Sequence, residues 1–247
     1  MNLRVERMGA GRNLVLLHGW GMSGRCWENV ASRLAEKYRV HVVDLPGHGA
    51  SGNSEDDWVE VLADAFDGEV SLCGWSLGGQ IAIEWASRRP GTVEKLVLVA
   101  ATPCFVSRPG WDHGMDSAVF GGFAEALDHE ADAVMRRFLH LQAQGGREEK
   151  RLFRQLQAYQ GQPDERTLKK GLDMLRSADL REKFSALSQP VLVMHGEGDR
   201  IVPSGAGKWL FENARRARLE SIKDCAHAPF LSHPDFFVSS ITEFLDE

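Results

Sequence analysis

Cysteine is scarce and scattered: Cys26, Cys73, Cys104 and Cys225 form no CxxC pair. That argues against a disulfide framework or a zinc site and points to reduced thiols. No run approaches the ~18 consecutive apolar residues of a membrane span. The opening Met1-Asn2-Leu3-Arg4-Val5-Glu6-Arg7 lacks the apolar core of a secretory signal. The expected address is the cytoplasm. Positive charge is not in excess either; a formal net charge of -6 speaks against a general nucleic-acid binder. Internal repeats and low-complexity tracts are absent. What remains, 247 residues with 43% hydrophobic and 26% charged content, suits one soluble α/β domain carrying an insertion.

Around Cys73-Gly74-Trp75-Ser76-Leu77-Gly78-Gly79 the chain changes period. The β-prone run 68–72 precedes it, and 80–89 follows with apolar residues at helical spacing. Gly74-x-Ser76-x-Gly78 between them is the nucleophile-elbow pattern, a turn so sharp that glycines must flank the central residue. It lifts the Ser76 hydroxyl to the end of a strand and the start of a helix, where the helix dipole favours developing negative charge.

Taken in order, residues 2–7 and 13–17 read as a hairpin turning through Gly9-Ala10-Gly11. A glycine-bearing loop, His18 to Ser23, follows. Then come a helix over 24–36, a strand over 39–43, the turn-rich Asp44–Gly52 segment, and a helix around 55–67. Beyond the elbow helix, the near-continuous apolar run 95–100 is what a parallel strand buried on both faces requires. This alternation predicts a mostly parallel central sheet flanked by helices. Residues 105–180 break the rhythm and read as helices only, a cap inserted into a core formed by 1–104 and 181–247. Strand character returns at 190–194 and 217–222, with helices at about 204–213 and 234–245.

A serine hydroxyl needs a base, and the base needs an acid to fix its tautomer. The elbow architecture orders these as Ser, Asp or Glu, His. Asp199 and His227 follow the last two predicted strands, so both should share the sheet edge of Ser76. The predicted catalytic set is Ser76, Asp199 and His227. The oxyanion donors are expected to be the backbone N–H groups of Leu77 and Trp20. Asp44 and His48 are expected to shape a loop, Glu197 lies off the expected acid position, and His233 reads as a helix-entry residue. The chemistry needs no metal and no cofactor.

Together these segments resemble the α/β-hydrolase superfamily over nearly the whole chain. The carriers are His18-Gly19-Trp20-Gly21, Asp44-Leu45-Pro46-Gly47-His48-Gly49, Gly74–Gly79, Gly196–Pro203 and His227-Ala228-Pro229-Phe230. Within it, His18–Met22, Gly74–Gly79 and Ala226–Pro234 look like the carboxylesterases of biotin synthesis, which hydrolyse the methyl ester of pimeloyl-[acyl-carrier protein]. Arg136-Arg137-Phe138-Leu139-His140-Leu141-Gln142 resembles that family's cap segment. The resemblance implies carrier-contacting positions at Arg137, Lys150 and Arg154, with Trp20 and Phe138 beside the acyl channel. A further family arginine is Ala133 here, for which Arg136 or Arg151 could compensate.

Between Arg136 and Lys170 nine Lys/Arg stand against four Asp/Glu. Arg147, Lys150, Arg151 and Arg154 recur at three- and four-residue spacing, as one helix face would require. Such a face would steer an acidic carrier protein. The expected enzyme is therefore a monomeric serine carboxylesterase acting on a carrier-bound pimeloyl methyl ester, with no nucleic-acid or membrane partner. A broad small-ester esterase or lactonase is the alternative, followed by a carbon–carbon bond hydrolase or aminopeptidase, and by a non-catalytic receptor on the same fold.

Overall fold

A computed structural model describes residues 2–247. Seven strands form one sheet: β1 (Val5–Met8), β2 (Asn13–Leu17), β3 (Arg39–Val43), β4 (Val70–Trp75), β5 (Val93–Val99), β6 (Val191–Gly196) and β7 (Ala217–Ile222). Their spatial order is β1-β3-β2-β4-β5-β6-β7, with every pairing parallel except β1 with β3.

The expected hairpin of the first two strands does not form. β2 is buried from Leu14 to Leu17 and takes parallel partners on both edges, so it has no edge left for β1. β1 instead pairs antiparallel with β3, Val5 opposite Val43. The short link between β1 and β2 must then pass the start of β3. Gly9 (φ 74°) and Gly11 (φ 105°) allow this, because a Cβ on Gly9 would overlap the carbonyls of Ala35 and Tyr38.

Alternation along the buried strands divides the core into two layers. Val15 and Leu17, with Leu72, Leu96, Leu98, Val191 and Val193, pack on one face against Ile81 and Trp85 of α3 (Leu77–Arg88). On the other face Leu14, Leu16, Cys73, Trp75, Val97 and Val99 meet Val30 and Leu34 of α1 (Glu28–Leu34) and Phe237 and Ile241 near the C-terminus. The helix expected over 55–67 is the shorter α2 (Trp58–Ala63), capped by Asp57, whose carboxylate accepts from the Val59 and Glu60 N–H groups.

Between β5 and β6 lie α4 (Ser117–Ala143), α5 (Glu149–Ala158), α6 (Glu165–Ser177) and α7 (Arg181–Ala186). α4 packs on α5 and α6 as a helical cap, whereas α7 lies against α3. α4 is broken at Glu130, whose φ of -139° and ψ of 44° are not helical. After β6 come α8 (Ser204–Asn213), β7, α9 (Pro229–Ser232) and α10 (Pro234–Asp246). No helix among the described residues is long and apolar enough to cross a membrane.

Candidate active site

Because β2, β4, β6 and β7 run parallel, the loops after them open on one edge of the sheet. Those loops carry Trp20, Ser76, Asp199 and His227. Ser76 stands between β4 and α3 at φ 55°, ψ -115°. Its N–H donates to Val99 O at 3.0 Å, which ties the turn to β5. The elbow depends on two close approaches: a Cβ on Gly74 would overlap the Gly78 carbonyl, and one on Gly78 the carbonyls of Leu17 and His18. Ser76 is buried, and its side chain makes no capping hydrogen bond to the helix it begins.

His227 Nδ1 lies 2.7 Å from Asp199 Oδ2. A carboxylate only accepts, so Nδ1 carries the proton and Nε2 keeps its lone pair. Nε2 is buried and has no partner among the described residues. The other Asp199 oxygen, Oδ1, accepts from Ile201 N–H at 2.8 Å and Val202 N–H at 3.0 Å. Burial by itself raises a carboxyl pKa. Here the adjacent His227, its hydrogen bond, His195 and the Val202 N–H together hold Asp199 below the ordinary range. It is a buried but ionised acid.

Trp75, the residue before Ser76, ties the elbow to the histidine loop. Its indole N–H donates to His227 O at 2.8 Å, and its ring lies 5.6 Å from the imidazole. The His227 N–H donates to the Gln142 carbonyl of α4 at 3.2 Å, joining the cap to the same loop. Alternation in β4 could have flagged Trp75 as inward-facing; nothing local marks the backbone of Gln142.

The loop after β2 runs beside Ser76: a Cβ on Gly19 would sit 3.3 Å from Ser76 Cβ. Neither the Trp20 nor the Leu77 N–H makes a backbone hydrogen bond among the described residues. The Trp20 indole donates to Leu168 O of α6 at 2.9 Å, and its ring meets Phe138 edge-on at 5.0 Å and Phe123 at 5.6 Å. Trp20 and Phe138 thus form one buried aromatic group under the cap.

Asp44 shapes its loop as expected, accepting from Gly24 N–H at 2.7 Å and Ala50 N–H at 2.9 Å. Glu197 accepts from Ser221 at 3.1 Å, away from the imidazole, and His233 is the residue at which α10 begins. No three His, Cys, Asp or Glu side chains converge as metal ligands among the described residues.

On the outer cap, a cleft of about 590 Å³ is lined by Asp132, Ala133, Arg136, Arg137, His140 and Phe153. Lys150 and Arg154 lie one turn apart on the adjoining α5, where Arg154 Nε donates to Lys150 O at 3.2 Å. The single basic face foreseen for this region needs correction. Arg147 precedes α5, and its guanidinium is held by Asp224 at 2.7 Å, 77 residues away. Arg151 is paired with Glu148 at 2.7 Å. Arg136, Arg137, Lys150 and Arg154 make no ion pair among the described residues.

The profile of the alpha/beta hydrolase family matches residues 14–240. A pimeloyl-[acyl-carrier protein] methyl ester esterase of Nitrosomonas europaea is 44% identical over 96% of this chain and 97% of its own. Another of that name from Nitrosospira multiformis is 38% identical over 99% of this chain and 98% of its own. Among solved structures, an esterase from Exiguobacterium antarcticum superposes with a TM-score of 0.91 at 25% identity, over 99% of this chain and 96% of its own. A bromoperoxidase from Bacillus anthracis also reaches 0.91, at 23% identity over 99% and 95%, a likeness of fold alone.

Proposed function

The chain belongs to the alpha/beta hydrolase family, and from that premise we propose that it is the carboxylesterase that hydrolyses the methyl ester of pimeloyl-[acyl-carrier protein] in biotin synthesis, working as a cytoplasmic monomer. Ser76 is the nucleophile, His227 the base and Asp199 the acid that orients it. Ser76 Oγ attacks the ester carbonyl while His227 Nε2 takes its proton, and the Trp20 and Leu77 N–H groups receive the oxyanion. Protonation by His227 releases methanol. Water then attacks the acyl-enzyme and gives a proton to the same nitrogen; collapse of the intermediate returns that proton to Ser76 Oγ and frees the acid, which ionises to the carboxylate. Asp199, already ionised, balances the charge on His227 at each transfer.

The observation that carries the reading is the Asp199–His227 pair at 2.7 Å with the outward nitrogen uncommitted, in a loop that Trp75 ties to the serine elbow. Carrier recognition rests on the four unpaired cations around the α4–α5 cleft. Arg137, Lys150 and Arg154 contact the carrier, and Phe138 with Trp20 lines the acyl channel. Arg136 lines the same cleft as Ala133 and compensates for the arginine absent there, while Arg151 is committed to Glu148.

Ser76→Ala tests the reading. It keeps the elbow backbone and removes only the hydroxyl, so hydrolysis of the pimeloyl-carrier methyl ester should fall by at least about 10³-fold with Tm unchanged. Undiminished turnover by the purified variant would overturn it.

A further inference from the structure

The acid of the proposed site touches a second imidazole that the reaction itself does not use. His195, at the end of β6, is buried with 1% exposure. Its Nε2 lies 2.9 Å from Val202 O and 3.5 Å from Asp199 Oδ2, the oxygen that also meets His227. A carbonyl only accepts, so Nε2 carries a proton, and Nδ1 is left buried without a partner among the described residues. Nδ1 is pressed against α8, where a Cβ on Gly207 would come within 2.6 Å.

We propose that His195 is a positioning residue for the reaction: a neutral imidazole whose Nε2–H clamps the Val202 carbonyl and points its positive edge at Asp199 Oδ2, holding the carboxylate aimed at His227. This inference rests on the reading of Asp199 and His227 as acid and base. The Asp199 turn closes on itself through Ile201 and Val202 N–H groups, so its orientation depends on what anchors Val202. His195 anchors it to a strand hydrogen-bonded on both edges. Burial keeps the ring neutral by pushing its pKa down, against the opposing pull of Asp199.

The titratable groups around the pair are few. Asp199 and His227 face His195 from the loops after β6 and β7. Cys225 faces Asp199 from the β7 loop, and burial pushes its thiol up to about 11. Ser221 is the β7 residue in register, and Gly207 is the α8 residue in contact. Lys208 and Glu212 of α8 pair with each other at 3.7 Å and are exposed. His113 packs on Gly205, at the start of α8.

Losing a neutral donor leaves Asp199 a stronger base. The acid limb of kcat/KM then moves to higher pH. His195 is shielded from substrate, so KM is unaffected. In His195→Phe we expect kcat to fall about tenfold, KM to stay within about twofold, and the acid limb to move up. His195→Gln, whose amide N–H can reach Val202 O, should recover most of the loss. Gly207→Ala keeps the ring but crowds Nδ1, and carries the test if His195→Phe does not fold; it too should lower kcat with KM unchanged. Asp199→Asn in the same series separates two failures. An active Asp199→Asn would overturn the acid–base reading and this proposal with it. An inactive Asp199→Asn beside folded His195→Phe and Gly207→Ala enzymes with the parent kcat and acid limb would overturn the role of His195 alone.

Discussion

A serine at φ 55°, ψ -115° carries strain of about 1–3 kcal/mol that surrounding contacts must offset. Part of that support comes from the loop after β2, which His18 fixes. Its Nδ1 donates to Gly19 O at 2.8 Å, and its Nε2 accepts from Leu45 N–H at 2.9 Å. His48 stacks edge-on to it at 5.2 Å and to Trp58 at 5.7 Å. Burial lowers His18 from 6.5 to about 4 and His48 to about 3. Both folded pKa values lie below the unfolded one, so at neutral pH neither costs stability. As pH falls through 6.5 the unfolded chain takes up protons that the folded protein refuses until about 4 or 3. Stability should therefore decline between pH 6.5 and about 4, by up to about 1.4 kcal/mol per pH unit for each histidine. Urea midpoints at several pH values would show it, with a shallower decline in His48→Phe. Midpoints constant across that window would contradict it.

Elements differ in how far a glycine can be replaced. Gly78 carries the close approach of α3 to the end of β2, and Gly78→Ala should destabilise the protein by roughly 3 kcal/mol or more. Gly121 and Gly122 sit within the first half of α4, where a Cβ would meet nothing within 4 Å. Gly121→Ala should instead stabilise by about 0.4–1 kcal/mol. Denaturant unfolding of both variants checks the pair of signs. A mild Gly78→Ala or a destabilised Gly121→Ala would contradict the packing described. The elbow was legible in the sequence because its constraints are local: two glycines, a serine and a change of period within a dozen residues. The placement of Asp199 and His227 at the same sheet edge as Ser76 was legible because each follows a strand pattern. The partner of β1 was not, since glycines in a four-residue link serve a hairpin and a tight crossing equally well. Only the burial of β2 on both edges decides between them. Nor could spacing reveal that Arg147 belongs to Asp224, because that contact forms only when separate loops meet; His195 and Asp199 are only four residues apart, but nothing local shows that the chain turns back there to bring them together.

At the scale of the whole molecule, charge is distributed against its total. A chain of net charge -6 gathers four unpaired cations where α4 meets α5. The other basic residues of the cap are engaged: Arg166 with Glu55, Lys169 with Asp128 and Glu165, and Lys170 with the carbonyls of Ser54 and Asp56. Those pairs hold α6 to the core and to α4, leaving the outer cleft as the positive surface open to a partner. An acidic carrier would be drawn to it by long-range attraction that salt screens, whereas a small neutral ester would not. The most direct measurement is kcat/KM for the pimeloyl-carrier methyl ester and for p-nitrophenyl butyrate, each at about 0.05 M and 0.5 M salt. The carrier reaction should fall about tenfold or more with salt, and fall likewise in Arg137→Ala and Arg154→Ala at low salt, while the small ester changes less than about twofold. A carrier reaction as indifferent to salt and to those substitutions as the small ester would contradict the account.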